Sequence, residues 1–381
     1  MSTDPGTTAA VPDAAACRRR GCPRRVLMTA DAVGGVWQYS LDLARALDNR
    51  GVFTTVAVLG PPPSGAQRRE AARAGVAIIE SPYRLEWMDG GIDDLAPSGE
   101  WLLLLERALC ADVVHLNGFA HAALPWQAPQ VLVAHSCVRT WWRAVKHEPA
   151  PRAYERYTAA VVSGLRAAPA VVAPSAAMLH ALTAEYGISL RSRVIPNGCA
   201  PRRPASAPAT TRSKEPFVLT AGRAWDEAKN IAALCAIAEQ LPWPIYVAGD
   251  TCSPQGMACA LPGVHALGRI STRAMLAWYE RAAVYALPAR YEPFGLSVLE
   301  AARAGCALVL GDIPSLREHW DGAALFVAPD DHQRLAAVIQ QLVNEPDERV
   351  ALGQRAEARA CMFTIDRTAD AYLELYEGLI A

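Results

Sequence analysis

The residues of this chain best suited to chemistry lie in Glu292-Pro293-Phe294-Gly295-Leu296-Ser297-Val298-Leu299-Glu300, where two carboxylates flank a loop that should turn into a helix. Pro293 suits a first helical turn, because its missing N–H and fixed φ cost nothing there. Gly295 lets the backbone come close to a bound group, and the free amides that begin a helix attract anions. Glu292 then stands in the loop mouth and Glu300 inside the helix. Carboxylates accept hydrogen bonds from hydroxyls, while amides take up phosphate. A ligand carrying both a diphosphate and many hydroxyls, such as a nucleotide sugar, suits a pocket of this kind.

Two cations join this stretch. Arg223 and Lys229 follow the apolar run Phe217–Ala221, and either could clamp a pyrophosphate, Arg as a planar fork and Lys as a point charge. Arg223 alone reads equally well as a member of a surface ion pair. In a parallel sheet, however, the strand ends share one edge, so these cations and the two glutamates can converge. In the first half, Gly34-Gly35 follows the strand-like Val26–Ala30 and lacks the full G-x-G-x-x-G spacing, which removes a dinucleotide claim. The pair reads either as a tight turn or as a loop packed over a ligand. His115 and His135 fall at or just past strand ends, where open α/β sheets collect ligands, and each reads as structural or functional. The sequence has no two aspartates two positions apart, no G-x-S-x-G, no P-loop and no H-E-x-x-H. Nothing in it suggests a covalent nucleophile.

The elements that must position these groups alternate. Apolar runs at Val26–Ala30, Thr54–Leu59, Val76–Ile79, Asp112–Leu116, Val131–Ala134 and Val171–Ala173 are separated by several helical stretches, the first of them through Tyr39, Leu43 and Leu47. Val194-Ile195-Pro196-Asn197-Gly198 ends this half as a strand and turn. The pattern restarts at Phe217–Ala221, with a helix over about 230–241 and strands at Ile245–Ala248, Val284–Leu287, Ala307–Leu310 and Leu325–Val327. Such alternation predicts parallel sheets covered on both faces. The expected organisation is an unstructured leader over 1–25, a Rossmann-like acceptor domain over 26–198 and a proline-rich linker over 199–216. A Rossmann-like donor domain then occupies 217–364. A last helix over 365–381 is apolar at helical spacing and is expected to pack back on the first domain.

With 381 residues the chain is long enough for two cores, and 37 basic against 38 acidic residues leave no field to draw it onto nucleic acid. Its ten cysteines are scattered, without a C-x-x-C pair, and read as reduced thiols in a cytoplasmic protein rather than as a metal site. The arginine clusters near the start precede no signal-like apolar run, and no stretch of about 20 apolar residues appears. Arg139–Lys146 mixes tryptophans with basic residues. It reads as an ordinary helix or as a segment making weak peripheral contact with a membrane surface.

At this point the residues resemble the retaining glycosyltransferases of family 4, which have the GT-B fold of two Rossmann-like parallel-sheet domains facing each other across a cleft. The resemblance runs from about Val26 to the end and is most specific in Ala289–Ala301. Supporting it are Gly222-Arg223 with Lys229-Asn230, Ile195–Gly198, Val247–Asp250, Gly34-Gly35 and Val133–Ser136. It implies metal-independent transfer of a sugar, with retention, from a nucleotide-diphosphate sugar to an acceptor hydroxyl on a saccharide, a lipid-linked molecule or a small molecule, with no cofactor. Arg223 and Lys229 resemble the pair that holds the donor diphosphate, Glu292 the carboxylate facing the donor sugar and Glu300 the one on the ribose. The Phe294, Gly295 and Leu296 amides would supplement the cations. Gly34 and Gly35 resemble a loop closing over the donor, and His135 a residue near the reacting centre. Arg223 and Lys229 stand six positions apart where the family commonly has five, and Cys199-Ala200 replaces a frequent hydrophobic-Asp pair. Alternatives on the same fold are a nucleotide-sugar epimerase and a non-catalytic sugar-nucleotide binding protein.

Overall fold

In the computed structural model, which describes residues 23–200, 214–252, 256 and 258–381, the strand-forming runs assemble into two parallel sheets. The first contains β1 (Arg25–Asp31), β2 (Phe53–Leu59), β3 (Ala77–Glu80), β4 (Val113–Leu116), β5 (Gln130–Val133), β6 (Val171–Ala173) and β7 (Ser192–Val194), in the order β3-β2-β1-β4-β5-β6-β7. The second contains β8 (Glu215–Ala221), β9 (Ile245–Ala248), β10 (His265–Gly268), β11 (Ala282–Leu287), β12 (Ala307–Gly311) and β13 (Leu325–Val327), in the order β10-β9-β8-β11-β12-β13. Each sheet reverses its winding beside its first strand. The loops that leave β1 and β4, and those that leave β8 and β11, therefore open crevices at the carboxyl edges.

Helices cover both faces. Around the first sheet lie α1 (Gly35–Asp48), α2 (Gly65–Ala74), α3 (Leu95–Leu109), α4 (Val138–Lys146), α5 (Glu155–Ala167) and α6 (Ala176–Tyr186). Around the second lie α7 (Ile231–Ile237), α8 (Thr272–Arg281), α9 (Leu296–Arg303), α10 (Pro314–Trp320), α11 (His332–Asn344) and α12 (Pro346–Ala360). The central strands are buried on both sides, which is why they read as continuous apolar runs: all six residues of β11 and all five of β12 are buried.

The last helix, α13 (Ile365–Ile380), returns to the first sheet, where Ile365, Ala369, Tyr372 and Tyr376 share a core with Tyr39 and Leu43 of α1. Its approach crosses the outgoing chain. Cys199 N donates to Phe363 O at 3.3 Å and Ile365 N to Cys199 O at 3.2 Å. Gly198 makes the crossing possible, since a Cβ there would lie 2.3 Å from the Thr364 backbone.

Several boundaries differ from expectation. β3, β4 and β5 are each displaced by one residue at one or both ends, and β8 begins at Glu215, inside the expected linker. The helix expected over 230–241 is α7 followed by a 3₁₀ turn at Ala238–Gln240. β10 was not foreseen, because none of its four residues is fully buried and it carries no apolar run. Most of the expected leader, 1–22, and of the linker, 201–213, lies outside the described residues.

Candidate active site

The carboxyl edges of the two sheets face each other across a cavity of about 800 Å³, and every site residue named above from the resemblance lines it. On the second-sheet side, the chain leaves β8 through Gly222-Arg223 into a single 3₁₀ turn at Glu227–Lys229. Asp226 caps that turn, accepting from Ala228 N at 3.0 Å. Asn230 ends it in left-handed backbone (φ 54°), with its side-chain amide donating to Pro288 O and Pro329 O at 2.9 and 2.8 Å. The result aims both cations at one place. Lys229 Nζ meets Glu292 Oε2 at 2.5 Å, with both side chains less than one-fifth exposed. Arg223 Nη2 donates to Asp226 Oδ2 at 2.6 Å, and its guanidinium lies 5.3 Å from the Trp225 ring centroid. Burial alone would raise the Asp226 carboxyl, but the Arg223 and Lys229 charges outweigh it and hold the group below its ordinary range.

Glu292 belongs to the loop that leaves β11. Here one expectation fails: α9 begins at Leu296, so Pro293 lies outside the helix rather than in its first turn. The loop is pinned first. Ser315 Oγ donates to Glu292 O at 2.5 Å and Ser175 Oγ to Pro293 O at 2.8 Å. Gly295, at φ 90°, then delays the helical run by one left-handed residue. The Phe294 side chain is buried beside His319, at 4.9 Å between ring centroids, so this position offers the cavity its backbone. Glu300, in α9, hydrogen-bonds with Tyr279 of α8.

On the first-sheet side, Asp31 ends β1 and accepts from Val33 N and Gly34 N at 2.8 and 3.3 Å, shaping the turn into α1. Burial raises its pKa, partly offset by those two amides and by Arg223. The turn meets the opposite wall directly. A methyl group on Gly34 would lie 3.0 Å from Arg223 Nη1, and one on Gly35 would lie 3.5 Å from Leu296 Cδ1. The two histidines part ways. His135 lines the cavity, hydrogen-bonds Asn117 Oδ1 through Nε2 at 2.8 Å and packs edge-on to Tyr39. Burial lowers its pKa to about 4, so the ring is neutral near pH 7. His115 is fully buried instead, bonded to the Tyr376 hydroxyl through Nδ1 at 2.6 Å and facing the Tyr39 hydroxyl at 3.2 Å. Its position is structural.

Sequence reasoning passed over Asp31, Asp226 and Tyr291 and gave α4 no place in the cleft. Trp141 Nε1 of α4 donates to Asp226 Oδ1 at 3.2 Å, Lys146 pairs with Glu227 at 2.6 Å, and Thr140 Oγ1 lies 2.8 Å from the Tyr291 hydroxyl. One helix of the first domain thus touches both the loop that carries Arg223 and Lys229 and the loop that carries Glu292. An acid placed between two cations, as Asp226 is between Arg223 and Lys229, was the available signal for the first of these contacts.

Comparison with known proteins agrees with the two-sheet fold. Residues 33–203 match Glycosyltransferase Family 4, and residues 215–345 match Glycosyl transferases group 1. The D-inositol 3-phosphate glycosyltransferase of Xylanimonas cellulosilytica is 27% identical over 91% of this chain and 92% of its own length. The glycogen synthase of Mycobacterium tuberculosis is 28% identical over the same shares. Among solved structures, the sucrose-phosphate synthase of Thermosynechococcus elongatus superposes with a TM-score of 0.75 at 20% identity, covering 93% of this chain and 99% of that one. Anabaena HepE in complex with UDP and glucose gives a TM-score of 0.71 at 16% identity, covering 94% and 100%. With the two family matches dividing between the two sheets and the sheets facing each other as in these structures, the chain belongs to the GT-B glycosyltransferases, family 4 in its first half and group 1 in its second.

Proposed function

We propose that this glycosyltransferase takes a sugar from a nucleotide-diphosphate donor and passes it to an acceptor hydroxyl with retention of configuration, without a metal ion. The observation that supports this reading best is the convergence of Arg223, Lys229, Glu292 and Glu300 on one cavity, with the Gly34-Gly35 turn opposite. The two cations would receive the diphosphate and stabilise its charge as the glycosidic bond breaks, a task that a divalent metal performs elsewhere. Glu292 would turn toward the sugar hydroxyls and Glu300 toward the ribose. Glu292 is tied to Lys229 and backed by Ser315, which suits positioning rather than covalent attack. The acceptor hydroxyl would then approach on the face the diphosphate leaves, beside neutral His135. Anabaena HepE, solved with UDP and glucose, makes a UDP-sugar the first donor to try. The name of the Xylanimonas relative, a D-inositol 3-phosphate glycosyltransferase, makes a phosphorylated polyol one acceptor to test against its neutral counterpart.

The test is donor binding and donor hydrolysis against UDP-, GDP- and ADP-sugars, followed by NMR of the anomeric proton in the product. We expect one nucleotide series to bind and the product to keep the donor's anomeric configuration. An inverted anomer would remove the retaining assignment, and an isomerised sugar formed without acceptor would favour an epimerase.

A further inference from the structure

The first-domain half of the cleft differs in character from the half that carries Arg223 and Lys229 among several carboxylates. Its lining includes the rings of Trp87, Trp142 and Tyr154 and the side chain of Val138, together with His135 and Ser136. Trp87 is 37% exposed, and Trp142 and Tyr154 are half-buried, so indole and phenol faces are open to a ligand rather than sealed in the core. Trp142 is braced edge-on by Trp141 at 5.7 Å between ring centroids, and Tyr154 by Tyr157 at 6.5 Å.

The charges near this wall are already engaged elsewhere. Arg139 and Arg143 both pair with Glu185, at 3.4 and 2.8 Å, and Lys146 pairs with Glu227. Among the described residues that line the first-domain side, the one charged group is a carboxylate, Asp31. The start of α4 also opens here, and its first-turn amides are directed at groups of the protein itself. Thr140 N donates to Cys137 Sγ at 3.4 Å, Arg139 N faces the same sulfur, and Val138 N faces the Tyr157 hydroxyl. A phosphate monoester needs cations or free amides to replace its water. This wall offers rings instead, which bury the flat C–H face of a sugar or an aryl group.

Resting on the glycosyltransferase reading above, we propose that the acceptor is an uncharged molecule with a flat apolar face, stacked on the Trp87–Trp142 wall, and not a phosphorylated one. Its reacting hydroxyl points inward to His135, where the donor sugar would be placed.

The experiment uses the full chain with the donor found active in the hydrolysis assay. Acceptors are supplied as matched pairs: glucose and glucose 6-phosphate, myo-inositol and inositol 3-phosphate, and an aryl β-glucoside with its 6-phosphate. The neutral member of at least one pair is expected to be glycosylated with kcat/KM at least tenfold above its phosphorylated partner. The aryl and free-sugar arms tell an aryl face from a pyranose face. Trp142→Ala should raise the acceptor KM at least tenfold while moving the donor KM less than twofold, and Trp142→Phe should restore most of the loss. Preference for the phosphorylated members, hydrolysis of donor with transfer to none of the neutral ones, or an unchanged acceptor KM in Trp142→Ala would each overturn the proposal. Quenching of tryptophan fluorescence by the neutral acceptors, measured without donor, reads the wall even when no donor is turned over. Absence of donor binding would instead count against the reading in the preceding section.

Discussion

Lys229 and Arg223 each face a carboxylate before any phosphate arrives, Glu292 in the first case and Asp226 in the second. On the proposed reading, a donor diphosphate would meet cations that are already oriented, and little side-chain entropy would remain to be lost. Lys229→Ala and Arg223→Ala are each expected to lower turnover at saturating donor by roughly 10²–10³-fold, the scale of one donor to a developing charge. Near-normal turnover in both variants would sink their assignment to the leaving group. Asp226→Asn is the subtler substitution. It keeps an oxygen to cap Ala228 N but gives up the charge that holds Arg223, and Trp141 loses a charged acceptor. Donor KM should rise roughly three- to tenfold with thermal stability nearly unchanged, since the Arg223 fork is misaimed rather than lost. Equal donor KM in variant and parent would leave Asp226 as a cap and nothing more.

The elements that carry these residues are joined where the outgoing and returning chains cross, and Gly198 controls that crossing. Any side chain there meets the Thr364 backbone at 2.3 Å, and backbone cannot turn aside as a side-chain tip can. Gly198→Ala should force apart the Cys199–Ile365 pairing and cost about 1–3 kcal/mol in chemical denaturation, the scale of an overpacking strain. A loss below half of the lower figure would show that the crossing relaxes freely. The same elements show where the sequence was legible. Strands buried on both faces announce themselves as apolar runs, so β1, β2, β11 and β12 were readable to within two residues at each end. The start of α9 was not, because Pro293 is a sound first-turn residue by propensity alone. Ser175, Ser315 and the left-handed Gly295 hold the loop extended, and the two serines are separated from it by long stretches of sequence or by another element. The convergence of Arg223, Lys229, Glu292 and Glu300 on one cavity was legible because these four charged residues follow strands of one sheet. The α4 contacts were not, because Trp141 and Asp226 come from different domains and neither carries a local signature of the other.

At the scale of the molecule, α13 ties the end of the chain to the first sheet through a polar core. The His115 ring bridges Tyr376 and Asn117 and faces Tyr39, whose hydroxyl in turn donates to Tyr372 at 2.8 Å. Burial, with His135 adding to it, lowers the His115 pKa to about 3, and burial lowers that of His121 to about 4. Both lie below the ordinary value near 6.5 of an unfolded chain. Above pH 6.5 the two states are equally neutral, and these rings add no pH dependence. As pH falls below 6.5 the unfolded chain takes up protons that the folded one refuses, so stability drains away until the folded pKa is reached. At 1.36 kcal/mol per pKa unit, each ring should cost about 2 kcal/mol by pH 5. His121 is not among the residues that line the cavity, and its Nε2 is bonded to Ser98 Oγ at 2.8 Å, so its substitution leaves Arg223 and Lys229 alone. His121→Gln should be less stable than the parent at pH 7.5, yet lose about 2 kcal/mol less on going to pH 5. Urea unfolding followed by tryptophan fluorescence at the two pH values measures the difference. Parallel losses in variant and parent would mean that His121 takes up its proton inside the folded protein, with the Ser98 contact giving way.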